Sequence, residues 1–121
     1  MAHQLRSGDG WRVGWNPDAA AFQALLGADD WAVELTQPEF DEFCRLAQQL
    51  STALVEIRPE LMAEEAIACE ASSDLLWMEV RGLPDAFSLS FILLTGRRAE
   101  GSWSAAATPN ILRTVQMLRV Y

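Results

Sequence analysis

The side chains here that carry chemistry are carboxylates, arginines and tryptophans. All nine basic residues are arginine, and the one histidine is His3. Without lysine there is no Schiff-base or lysine nucleophile. A Ser-His-Asp or Cys-His site would need the N-terminal His3 folded over the body. Cys44 and Cys69 stand 25 positions apart with no CxxC partner. They read as two reduced core thiols, with a disulfide or redox pair as the alternative. Neither they nor His3 show metal-ligand spacing. Gly8-Asp9-Gly10 superficially matches a dinucleotide fingerprint. Its third glycine falls at position 14, where the motif wants 13, and no strand precedes it, so it reads as a turn. The carboxylate pairs Asp29-Asp30, Asp41-Glu42 and Glu64-Glu65 read as solvated faces, because sequence neighbours point different ways. Acid–base work or weak divalent binding would need two carboxylates brought together by the fold. This inventory predicts a protein that is not an enzyme and uses no cofactor.

Binding chemistry is better supplied. Trp11, Trp15 and Trp103 flank glycines and arginines, and Arg97-Arg98 is the one local basic cluster. Indoles beside arginines stack nucleobases and also anchor protein partners. The candidate contact residues are therefore Trp11, Arg12, Arg81, Arg97, Arg98 and Trp103. The ordinary alternatives are core indoles, arginine-over-indole contacts within the fold and a solvated basic turn. Trp31 and Trp77 lie within strand patterns and read as core. From Asp29 to Glu79 thirteen acidic residues face two arginines, a net of -11 in a chain whose total is -8. Such a belt repels polyanions and attracts basic partners, setting on-rate and specificity more than affinity.

A chain of 121 residues, half of them hydrophobic, forms one domain, here 1–121, with residues 1–9 as a flexible arm. Trp11–Trp15 reads as a short strand. Ala19–Leu26 is open between a helix and the first arm of a hairpin. Trp31–Thr36 alternates, with Trp31, Val33 and Leu35 on one face. Thr36-Gln37-Pro38-Glu39 is a capping box. It opens a helix whose stripe is Phe40, Phe43, Ala47, Leu50, Leu54 and Ile57, ended by Pro59. Strands follow at Glu65–Ala71, Leu75–Arg81 and Phe87–Leu94, the last wet on one side at its start and covered on both at its end. A short strand lies near Trp103. Thr108-Pro109 then opens a last helix, with Thr108 as cap and a stripe of Ile111, Leu112, Val115, Leu118 and Tyr121. The order is strands, helix, strands, helix. This predicts an α+β domain of mainly antiparallel sheet wrapped on two helices.

The blocks Gly10-Trp11-Arg12-Val13-Gly14-Trp15-Asn16-Pro17, Trp31–Thr36, Phe43-Cys44-Arg45-Leu46, Glu60-Leu61-Met62 and Gly96–Trp103 resemble a small cyanobacterial family of unknown function. The family's fold is similar to that of single-stranded-DNA-binding transcriptional regulators such as the plant Whirly proteins. The resemblance covers essentially the whole chain. It implies a fold of four-stranded sheets alternating with helices and a bacterial or plastid setting. No apolar run reaches the ~20 residues that span a bilayer, so the expected setting is cytoplasmic, without membrane association. The expected function is a binding or regulatory module for a protein partner or for a second copy of itself, as a homodimer. The alternative is weak single-stranded nucleic-acid binding.

Overall fold

The computed structural model describes residues 3–118. Strands β1 (Gln4–Gly8), β2 (Trp11–Trp15), β3 (Ala24–Gly27) and β4 (Ala32–Leu35) form one sheet in sequence order. Helix α1 (Gln37–Ile57) and a 3₁₀ turn at Arg58–Glu60 follow. Strands β5 (Ile67–Ser72), β6 (Leu76–Leu83), β7 (Ala86–Leu93) and β8 (Glu100–Trp103) make the second sheet, again in order, and α2 (Thr108–Leu118) closes the chain. Every pairing is antiparallel. The α+β architecture and the order of elements are those expected from the sequence.

Local chemistry explains most elements. Asp9-Gly10 joins β1 to β2 below the closing pair Gly8–Trp11, with Gly10 at a φ of 82° that glycine adopts without strain. Within the segment expected to be a flexible arm, Gln4–Gly8 is instead a strand that pairs residue for residue with β2. Ala24–Gly27 resolves the open reading at 19–26 as a hairpin with β4. Pro84-Asp85 is the whole β6–β7 turn, and the strands run on to Leu83 and from Ala86. Thr108 is not a cap. It is the first helical residue, and its hydroxyl donates to Ser104 O at 2.8 Å. The hydroxyl that serves this helix start is that of Ser104, which accepts from the Ala107 N–H at 3.3 Å. Tyr121 lies outside the described residues.

The helices fill the space between the inner faces of the two sheets, and the predicted stripe residues Phe40, Phe43, Leu50, Leu54, Ile111 and Val115 are all buried. At the centre Phe43 meets Phe91 edge-on at 5.6 Å and Trp103 at 5.9 Å. Both cysteines are free, Cys44 buried and Cys69 half-buried. The end of β7 is not covered on both sides: Ile92 is half-buried and Leu94 is 41% exposed. The outer face of the second sheet stays open to solvent.

One polar network crosses this core. Glu39 is 4% exposed, at the start of α1. Its Oε1 accepts from the Thr36 N–H at 2.9 Å, and the Glu39 N–H donates to Thr36 Oγ1 at 3.4 Å, completing the capping box. Thr95, in the β7–β8 turn, donates its hydroxyl to Oε2 at 3.0 Å. Arg97 of the same turn ion-pairs with Oε1. Its other terminal nitrogen donates to Glu34 O on β4 at 2.6 Å, and its guanidinium lies 4.7 Å from the centre of the Phe22 ring.

Phe43→Ala is expected to lower stability by about 3–5 kcal/mol in urea denaturation. Arg97→Ala, which strands a buried carboxylate, should cost about 2–3 kcal/mol. The exposed neighbour is the control, and Arg98→Ala should stay within about 0.5 kcal/mol of the parent.

Candidate functional site

Antiparallel pairing sorts the second sheet's side chains into an inner and an outer set. The outer set forms cross-strand rows. Ser72, Trp77, Ile92 and Glu100 make the first, and Glu70, Glu79, Ser90 and Ser102 the second. Ala68, Arg81 and Ser88 make the third. Three carboxylates thus share the face with one arginine. A pocket of about 430 Å³ opens over β7 and β8, with Trp77 on one side, Trp31 on the other and Ser90, Ile92, Glu100 and Ser102 between.

Trp31 belongs to the first sheet's β3–β4 turn and reaches across onto β8. Its indole N–H donates to Ser102 O at 3.1 Å, and its ring packs on Phe91 and Trp103 at 5.8 and 5.1 Å. It sits directly over Gly101. A Cβ there would fall 2.4 to 2.7 Å from three of its ring atoms. Both Trp31 and Trp77, expected in the core, are only half-buried. The signal for Trp77 was its parity. It alternates with Leu76, Met78 and Val80 and is in phase with Glu79 and Arg81, the wet side of β6.

The six candidate contact residues do not form one surface. Trp103 is a core residue, 1% exposed, whose indole N–H donates to Gly27 O at 2.8 Å. Trp11 is buried over Gly8, and its indole N–H has no hydrogen-bond partner among the described residues. Arg97 is held by Glu39, Glu34 and Phe22. Arg12 is exposed on the first sheet and donates to Trp31 O at 3.2 Å. Arg98 is exposed in the β7–β8 turn at a φ of 52°. Arg81 is the one candidate on the outer face of the second sheet, and it pairs with Glu79 at 2.8 Å. The Glu79 hydrogen bond, and then its charge, raise the Arg81 pKa above the ordinary arginine value, with a further push from Glu70.

The first sheet has its own outer pocket, about 320 Å³, around the row Leu5, Gly14, Leu25 and Glu34 and edged by His3, Trp15 and Phe22. Arg97 already occupies one face of Phe22. Among the described residues no group of three or more His, Cys, Asp or Glu has the geometry to hold a metal ion. No helix among them is long and apolar enough to cross a membrane.

Gly101→Ala is expected to push Trp31 off β8. Tryptophan emission and near-ultraviolet circular dichroism should change, with a stability loss of about 1–3 kcal/mol.

A crystal structure of a protein of unknown function from Prochlorococcus sp. NATL2A, described as of the DUF155 family, superposes with a TM-score of 0.90 at 24% identity. The match covers 96% of this chain and 98% of that one, so the two share a fold. No curated protein matches the sequence. The model of the family described as Domain of unknown function (DUF1818) matches residues 6–118, nearly the whole chain, and the protein belongs to that family.

Proposed function

We propose that this chain is a non-catalytic binding module that engages a basic protein partner through the outer face of its second sheet. One observation carries the reading: an open, acidic sheet face with a pocket between two half-exposed indoles. Glu70 and Glu100 supply the charge there, Glu79 being paired with Arg81, and the chain as a whole carries -8. Aromatic walls give contact area at low entropic cost, and the carboxylates steer approach. The non-catalytic part rests on the residue inventory, with no lysine and a single histidine at position 3.

Single-stranded nucleic-acid binding is the rival. Two four-stranded sheets, each followed by a helix, agree with the Whirly-like resemblance. It ranks second because the basic groups it needs are committed elsewhere. Arg97 neutralises Glu39, Arg81 neutralises Glu79, and Trp103 is buried. Phosphate contacts supply most nonspecific affinity, and of the candidate arginines only Arg12 and Arg98 are left outside an ion pair to make them.

Fluorescence anisotropy distinguishes the two. An arginine-rich peptide is expected to bind, more weakly as salt rises, while labelled oligothymidine shows no binding even at low salt. Tight, salt-sensitive binding of oligothymidine that is lost in Arg12→Ala with Arg98→Ala would reverse the ranking. Self-association is tested by light scattering at two protein concentrations, and a concentration-independent monomer mass leaves the partner as a different protein.

A further inference from the structure

The first outer row of the second sheet changes character strand by strand. Trp77 on β6 stands opposite Ile92 on β7, and Ile92 opposite Glu100 on β8. Neighbouring strands lie about 4.8 Å apart. Indole and carboxylate therefore flank an aliphatic floor roughly 10 Å across at the backbone. That leaves room for one long, flat side chain. Trp77 and Ile92 are half-buried and Glu100 is exposed. Among the described residues Glu100 has no ion-pair partner. The Ser90 and Ser102 hydroxyls form the next row, and Trp31 closes the pocket at β8.

We infer that this row seats an arginine side chain of the partner, its stem on Ile92, its guanidinium plane against Trp77 and its N–H fork on Glu100. The inference rests on the reading of the chain as a module for a basic partner and names the subsite that reads it. Guanidinium fits better than ammonium. It is planar, stacks on indole, is weakly hydrated and meets a carboxylate with two parallel donors. A nucleobase also stacks on an indole. Its phosphates, however, would lie among Glu70, Glu79, Glu100 and the exposed Asp74 of the β5–β6 turn. The cation on this face, Arg81, is paired with Glu79, and Arg98 sits in the turn before β8. A neutral sugar would gain the stacking and nothing from the charge.

The test is calorimetric titration of the full chain at physiological salt with two peptides of equal charge, a glycine–arginine repeat and a glycine–lysine repeat. Maltohexaose and oligothymidine are titrated in parallel. The arginine peptide is expected to bind several-fold tighter than the lysine peptide. Trp77→Ala should weaken the arginine peptide by about tenfold and erase the difference between the two. Trp77→Phe should keep most of the affinity and, by circular dichroism, the fold. Glu100→Gln should weaken arginine binding several-fold, while Glu64→Gln, the same charge change at an exposed site off this face, should not. Equal binding of both peptides, unmoved by Trp77→Ala and Glu100→Gln, would overturn the arginine subsite and leave the basic-partner reading standing. Binding of neither peptide would remove both. Preference for maltohexaose or oligothymidine over the arginine peptide would also overturn the subsite.

Discussion

A carboxylate buried at the first turn of a helix loses its water and must find donors for its lone pairs, and Glu39 finds three of them, in two distant parts of the chain. Thr36 supplies one from the residue before α1. Thr95 and Arg97 supply the others from the turn after β7, 56 and 58 residues away. The helix dipole favours negative charge at this end, but a buried charge left without partners costs more than the dipole returns. The start of α1 is thus fully satisfied only when the second sheet is in place. Arg97 then extends the tie to the first sheet through Glu34 O and the Phe22 ring. The two halves are joined by a network whose parts support one another.

Two indoles repeat that logic across the same junction. Trp103 of β8 donates to Gly27 O at the end of β3, and Trp31, just before β4, donates back to Ser102 O on β8. Each satisfies its one polar hydrogen on the other sheet's backbone; the Trp103 ring lies in the core and the half-buried Trp31 ring packs against it. Gly101 is what allows the approach, because any side chain there would occupy the volume of the Trp31 ring. The half-exposed edge of Trp31 is thus held in a fixed place beside β8, one wall of the pocket on the outer face. Junction and pocket share a residue, and the rigidity of the first supplies the preorganisation of the second.

How far the sequence reveals this depends on the range of the interaction involved. Helix α1 was readable from its capping box and stripe, since both are local. The antiparallel meanders followed from alternation and turn residues. The β1 edge was not readable, because Gln4–Gly8 carries little apolar pattern and is ordered by its pairing with β2. Thr108 looked like a cap, yet the preceding turn Ser104–Ala107 carries that role, since it already bonds backbone and side chain to the next residues. Arg97 and Arg98 are alike in sequence. Only the fold reveals that one meets a carboxylate 58 positions earlier and the other faces water. Glycine and arginine neighbours suggested an accessible Trp103, but its alternation partner Gly101 opened the space that buried Trp31 against it. Trp77 was the opposite case. Its phase with Glu79 and Arg81 marked the wet face, although its place in a strand pattern reads as core.

The lopsided charge of the chain also changes meaning once the fold is known. The acidic stretch from Asp29 to Glu79 does not become one surface. Glu39 is neutralised inside by Arg97, Glu42 by Arg45 on the same helix and Glu79 by Arg81 beside it. Paired groups contribute little to the field that a distant partner feels, and screening over about 8 Å removes most of what remains of a local dipole. What steers is the unpaired remainder. On the outer face of the second sheet that remainder is Glu70 and Glu100, in adjacent rows beside Trp77. Charge and aromatic surface coincide at one place because alternation along β5 through β8 turns the inner positions toward the core and leaves the polar and aromatic exceptions together outside. On the proposed reading, a basic partner drawn by the net charge of the whole molecule would meet a face where shape, stacking and an exposed carboxylate distinguish one cation from another.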